Sequence, residues 1–246
     1  MKDKKSKFRV IKSAKASAKN NMASDDALLS CHKENNLPIL RVYYWDKSFT
    51  IGISQDFEMY SFKDEYNENY AKRITGGGVL FHGHDVSYSL VIPVNLLEGL
   101  NIKESYEFIC RFIINFYKKL NLDARYAKDV EEIDLSKSEF CQVGFEAYDI
   151  IVNGKKVGGN AQRRTKKAIF QHGSIPLKSL NDKYDEKIGT TLEDFDINLE
   201  FDKACVLLIE AFKETFNVEL EHSELTEEEI AKKNQLLKDK YDYSRK

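Results

Sequence analysis

An uninterrupted run of about 18 apolar residues, the length that crosses a bilayer as a helix, is missing from this 246-residue chain. No membrane span is expected. The Lys-rich start, Met1–Val10, has no apolar segment behind it and does not read as a secretory signal. Proline occurs three times only, and no Gly/Ser/Pro linker and no internal repeat divides the chain. A single domain over residues 1–246 is therefore expected. An excess of one charge is also missing, because 38 Lys and Arg face 40 Asp and Glu. That balance gives no general case for nucleic acid as a partner. The four cysteines, Cys31, Cys110, Cys141 and Cys205, form no CxxC pair and no Cys/His cluster at zinc spacing. No bound metal is expected, and isolated thiols fit a reducing, cytoplasmic setting.

What is present is a globular composition, 42% hydrophobic and 32% charged. The Ala- and Lys-rich segment Ser13–His32 can turn Met22, Leu28 and Leu29 inward from a helix. Leu40–Trp45, Thr50–Ile53, Val79–Phe81, Val86–Ile92, Tyr148–Val152 and Ala168–Ile175 read as strands rich in β-branched and aromatic residues. Asn153-Gly154 is a two-residue hairpin signal, so Lys155 begins a return strand. Asn101–Leu120 repeats apolar residues at steps of three and four, the mark of an amphipathic helix. Phe201–Phe216 and Glu227–Lys238 read as two further helices, the second capped by Thr226. The pattern predicts an α/β (α+β) domain, a mixed β-sheet flanked by helices.

Three segments carry residue types suited to chemistry. Arg73-Ile-Thr75-Gly76-Gly77-Gly78-Val-Leu-Phe-His82 offers three glycines whose backbone can approach a ligand, with a cation and a hydroxyl for an anion. The glycines equally fit a plain turn between strands. It is neither a Walker A loop nor a G-x-G-x-x-G fingerprint. In Gly154-Lys155-Lys156-Val-Gly158-Gly159-Asn160-Ala161, strand alternation sends the two lysines to opposite faces. An inward Lys beside glycines suits a carbonyl or phosphate oxygen; two exposed lysines on an edge strand are the simpler alternative. His172, in Gln171-His172-Gly173, and likewise His82 and His84, are either site residues or satisfied structural histidines.

In this order, the three segments resemble those of the biotin/lipoate A/B protein ligase family. Its Arg-x-Thr/Ser-Gly-Gly-Gly/Arg-x-x-x-His, Gly-Lys-Lys-x-x-Gly-x-Ala and His-Gly segments are matched by Arg73–His82, Gly154–Ala161 and His172-Gly173. Asn21–Leu29, Leu40–Trp45 and Gly52-x-x-Gln55 look like the family's opening helix and strand, and Leu225–Tyr241 is similar to the terminal helix of one branch. The resemblance covers nearly the whole chain. It implies a biotin/lipoate ligase-like catalytic domain that places a lipoyl-type acyl group on a lysine of lipoyl-domain proteins. Those acceptors are the 2-oxoacid dehydrogenase E2 subunits and the glycine cleavage H protein.

The family runs two chemistries. Octanoyltransferases take the acyl group from acyl carrier protein through an enzyme cysteine, without ATP or metal. Lipoate ligases activate free lipoate with ATP and Mg²⁺. The His82-to-Tyr88-Ser89 spacing, the Gln171–Pro176 segment, and Cys141 standing eight positions before Asp149 resemble the transferase branch. Gly78, where transferases carry Arg, resembles the ligases, and Gln142–Ala147 lacks the Pro-Ser found after the transferase cysteine. Many ligases add a smaller C-terminal domain, and none is expected here. The resemblance makes Cys141 the nucleophile and Lys156 its cationic partner. Arg73, Thr75, Gly76, Gly77, Gly78, His82, Gly159, Asn160, Ala161 and His172 become the substrate-binding set. Val79, Phe81 and Ile151 are expected walls of an acyl slot. A small core residue remains the alternative for Cys141, and an acyl-binding protein without turnover or a biotin-directed enzyme are the alternatives for the whole.

Overall fold

The computed structural model describes residues 5–33, 35–135, 140 and 144–243. Cys141 lies outside the described residues. In chain order the elements are β1 (Lys7–Lys12), α1 (Ala18–Cys31), β2 (Ile39–Tyr44), β3 (Ser48–Ile51), β4 (Tyr70–Lys72), β5 (Leu80–His82), β6 (Asp85–Pro93) and α2 (Ile102–Lys119). They continue with β7 (Ala124–Tyr126), β8 (Ile150–Val152), β9 (Lys155–Arg164), β10 (Ala168–Pro176), α3 (Phe201–Phe216), β11 (Glu219–His222) and α4 (Glu227–Asp239). An eight-stranded mixed sheet runs β11-β1-β2-β6-β10-β9-β8-β7, and a small sheet runs β4-β3-β5. The α/β architecture expected from the sequence is the one found.

Strand alternation distributes the core. On β6, Val86, Tyr88, Leu90 and Ile92 join Leu40 and Val42 of β2 in one cluster with α2 and α3. The intervening Val91 and Ile39 pack instead with Ile11 and Leu28, on the face that α1 covers. All nine residues of β6 are buried, as befits a central strand with helices on both sides. The small sheet folds around an aromatic cluster of Phe49, Phe57, Tyr66, Phe81 and Tyr184.

Four strands escape the sequence reading: β1, β4, β7 and β11. Phe8 and Val10 do alternate with polar residues on β1, but flanking lysines hide the period. The other three are three or four residues long and are paired only by distant strands. The Asn153-Gly154 turn has positive φ at both residues, 48° and 75°, as a tight hairpin requires. Asn101 caps α2 and Thr226 caps α4, each in a reciprocal capping box.

His84, in the β5–β6 turn, is buried, and neither ring nitrogen has a hydrogen-bond partner among the described residues. Burial pushes its pKa down to about 4, against the opposing pull of Asp85. The unfolded chain therefore binds the extra proton between about pH 4 and 6.5, and stability is lost as pH falls through that window. We expect His84→Leu to flatten the stability profile there, by up to about 3 kcal/mol between its ends. Urea midpoints of both proteins at pH 4.5 and 7 test this; parallel profiles would refute it.

Candidate functional site

A cavity of about 420 Å³ opens beside the glycine loop, a volume suited to a small ligand. Arg73, Gly76, Gly77, Gly78 and His82 line it from one side, and Lys156, Gly159, Asn160, Ala161 and His172 from the other. The fold thus brings together segments eighty residues apart in sequence. Thr75 is buried behind this wall and is not among the lining residues.

The glycine loop is held from beneath. Arg73 is buried and donates from Nη2 to the carbonyls of Gly76 (3.2 Å) and Gly78 (2.6 Å), and from Nη1 to Thr50 Oγ1 (2.9 Å). The Nη2 donors serve the loop and Nη1 serves Thr50, where the sequence reading gave the cation to a ligand anion. Gly77 has φ +97°, a conformation that side chains rarely adopt. A Cβ on Gly52 would overlap the Gly77 carbonyl, so the loop rests directly on a second glycine.

His82 is fixed just as firmly. Its Nδ1 meets Asp85 Oδ2 at 2.9 Å, its Nε2 meets Thr50 Oγ1 at 2.8 Å, and its ring stacks on Trp45 at 3.8 Å. Asp85 can only accept, so Nδ1 carries a proton. Burial would raise the Asp85 carboxyl, but His82, His84 and the Ser174 hydroxyl together hold it well below the carboxylate range. Both His82 nitrogens are occupied, and the residue offers the cavity a ring edge.

Beneath the cavity floor, α1 buries Asn21, Ser24 and Asp25. Asp25 accepts from Arg41 (2.8 Å), Tyr43 (2.8 Å) and Ser89 (2.7 Å), with His172 Nδ1 at 3.8 Å. Burial opposes the charge, yet Arg41 and His172 bring the carboxyl below its ordinary value. His172 Nε2 meets Thr75 Oγ1 at 2.7 Å. Thr75 thus orients His172. Asp25, Arg41 and Tyr43 were not singled out as site residues, and only their match to the opening motifs marked them.

Lys156 is the buried lysine and Lys155 the exposed one. Lys156 Nζ lies 2.6 Å from Asp149 Oδ2 and donates to the Gly144 carbonyl at 2.7 Å. Asp149 also accepts from the Glu146 N–H at 2.7 Å. Burial still raises the Asp149 carboxyl above its ordinary value. A bulge follows Lys156: Ile151 pairs with Lys156, but Ile150 pairs with Gly158, leaving Val157 unmatched. Bulges re-aim side chains in this way. Phe140 and Gly144, which flank Cys141 in sequence, both line the cavity.

A directional relay reaches Asn160. Arg164 can only donate, and its Nη1 donates to Gln162 Oε1 at 2.9 Å. Gln162 Nε2 then donates to Gln171 Oε1 (2.6 Å), Gln171 Nε2 to Tyr88 (2.8 Å), and the Tyr88 hydroxyl to Asn160 Oδ1. The sense of each bond follows from the first. Gly173 leaves the room for it, since a Cβ there would overlap Asn160 Oδ1 and crowd Tyr88.

The acyl-slot walls need correction. Val79 and Phe81 join the aromatic core of the small sheet, while Leu80 and His82 face the cavity. Period-two alternation forces this once His82 points inward. Ile151 is buried and does not line the cavity. The apolar walls are Met22, Trp45, Leu80, Ile102, Tyr106 and Phe140.

The sequence model of the lipoyl protein ligase A/B catalytic domain matches residues 17–194. The chain is 31% identical to the octanoyltransferase LipM of Anoxybacillus flavithermus, over 96% of this chain and 95% of the relative. It is 30% identical to that of Bacillus subtilis, over 96% of each. Its fold is similar to that of a lipoate-protein ligase A bound with ATP, with TM-score 0.77, 22% identity and 96% of each chain covered. It is also similar to a chain from an archaeal lipoylation system of Thermoplasma acidophilum, a bi-partite lipoate protein ligase and its E2 lipoyl domain. There the TM-score is 0.73 at 22% identity, covering 97% of this chain and 94% of that one. No described helix is long and apolar enough to cross a membrane.

Proposed function

The chain belongs to the lipoyl protein ligase A/B catalytic domain family and is an enzyme, a transferase or a ligase; on that footing we propose that it is an octanoyltransferase working through a thioester on Cys141. The donor is an octanoyl thioester on acyl carrier protein. The acceptor is a lysine of a lipoyl-domain protein, such as a 2-oxoacid dehydrogenase E2 subunit or the glycine cleavage H protein. Residues 1–246 act as one catalytic domain in the cytoplasm.

The observation that carries this reading is the buried Lys156, held by Asp149 and the Gly144 carbonyl at the cavity wall. Phe140 and Gly144, which bracket Cys141 in sequence, line the same cavity as Lys156. A nearby ammonium favours thiolate over thiol. The thiolate attacks the donor carbonyl carbon, and the electron pair moves onto oxygen, where Lys156 stabilises it. The pair returns as the bond to the donor sulfur breaks, and the carrier leaves as its thiol with the proton Cys141 gave up. The acceptor amine then attacks the acyl-enzyme. The amide forms, the Cys141 sulfur departs, and the amine proton restores its thiol. Thioester to amide runs downhill, so this route uses neither ATP nor metal. The apolar walls from Met22 to Phe140 take the octanoyl chain.

Two incubations with apo lipoyl domain test the proposal. One supplies octanoyl–acyl carrier protein without ATP; the other supplies free lipoate with ATP and Mg²⁺. We expect the acceptor to gain the mass of one octanoyl group in the first. Gain only in the second would make the enzyme a ligase, and gain in neither, with the acyl group still bound, would make it a binding protein.

A further inference from the structure

The end of the β9–β10 hairpin, the last two residues of β9 and the turn after them, carries four cations among its five residues from Arg163 to Lys167, and all five are exposed. Elsewhere on the surface, lysines such as Lys12, Lys33 and Lys183 sit within 4 Å of a carboxylate. Among the described residues these four do not. Arg163 donates to the Ile74 carbonyl, and Arg164 to Ser105 and Gln162, all neutral partners. With no carboxylate beside them, these charges are left for a bound anion to compensate.

The turn is also rigid. Thr165 Oγ1 accepts from the Ala168 N–H at 3.0 Å and donates to the Ala168 carbonyl at 2.8 Å. The Lys167 carbonyl accepts from the Val94 N–H at 3.1 Å, which fastens the turn to the next segment. That segment exposes apolar side chains: Val94 at 38%, Leu96 at 48%, Leu100 at 38% and Ile102 at 65%. Ile102 and Arg164 are at the same time cavity residues. A cationic ridge and an apolar shelf therefore adjoin the opening through which substrate reaches the cavity. An apolar centre beside a charged rim is the make-up of a transient protein interface.

We propose that this surface docks the acyl donor, as an acidic carrier protein that bears its acyl chain on a phosphate-containing arm; the proposal rests on the transferase reading above. Charge selects the donor over the acceptor as occupant. The acceptor must bring a lysine ammonium to the cavity, which four cations at its edge repel. The donor brings a phosphate and an acidic surface, which they attract. The arm's acyl end passes Ile102 into the apolar walls while the phosphate stays with the ridge. Lys and Arg at an interface rim act chiefly on encounter and on its salt dependence.

The test is the double charge reversal Lys166→Glu/Lys167→Glu, on two exposed side chains outside the cavity. Transfer is followed with three donors: octanoyl–acyl carrier protein, octanoyl-coenzyme A, and a phosphate-free octanoyl thioester of N-acetylcysteamine. We expect KM for the carrier protein to rise about tenfold or more, with its salt dependence weakened and kcat held. KM for the phosphate-free thioester and for the acceptor domain should stay at wild-type values. The coenzyme A donor separates the two sources of charge: a rise like the carrier's assigns the ridge to phosphate, and a smaller rise assigns it to the carrier's acidic surface as well. An unchanged KM for the carrier, or a rise for the acceptor alone, overturns the proposal. If wild-type enzyme transfers from none of the three thioesters, the transferase reading itself fails, and it fails before the variant is measured.

Discussion

Lys156→Ala is expected to lower acyl transfer by about 10²–10³-fold, the loss typical of one oxyanion-stabilising donor. Its neighbour Lys155→Ala should remain near wild type, because that side chain points to solvent. Removing one member of a buried ion pair usually destabilises by leaving the other charge unmatched. Here the cost is moderated. Burial already raises the Asp149 carboxyl, and losing the ammonium raises it further, which eases proton uptake, while the bond from the Glu146 N–H remains. The variant should therefore fold, and circular dichroism melts beside single-turnover rates check both halves. Equal losses at positions 155 and 156 would show that the cation at the cavity is not what matters.

Cys141→Ser should nearly abolish transfer. A serine hydroxyl stays protonated near neutral pH and is a far weaker nucleophile than a thiolate. Wild-type enzyme given octanoyl donor and no acceptor should accumulate one octanoyl group on Cys141, visible by peptide mass spectrometry. The other thiols should not substitute for it. Burial pushes the Cys205 thiol up to about 11 and the Cys110 thiol higher still, and Cys110 is enclosed behind Gln171. Cys31 is also pushed up, by burial and by Glu228. Full ATP-dependent activity in Cys141→Ser would sink the thioester route and leave the family membership standing.

The parts of this protein that follow from local chemistry could be read in the sequence. The Asn153-Gly154 turn fixed the start of β9, and alternation sent Lys155 and Lys156 to opposite faces; the family resemblance then singled out Lys156 as the inward one. Long helices with caps were equally plain. The acyl walls went astray by one residue, although the same alternation that turns His82 inward also turns Leu80 inward. What could not be read was pairing across distance. The relay from Arg164 to Asn160 joins β9, β10 and β6, and no spacing within any one strand encodes it. The Asp25 network is hidden for another reason. Helix α1 buries Asn21, Ser24, Asp25 and Asp26 alongside Met22, Ala23, Ala27 and Leu28, so polar residues break up its apolar stripe.

For anyone wishing to change which acyl groups this enzyme accepts, the glycine loop is not uniformly open to redesign. Gly52 and Gly77 act as one unit across two segments, since a side chain on the first displaces the carbonyl of the second. Varying the loop by itself would miss that constraint, and varying Gly77 meets its positive φ. Gly76 differs from both: a Cβ there meets nothing within 4 Å, and the residue lines the cavity. It is the loop position from which a new side chain can enter the acyl space while the backbone beneath it keeps its shape.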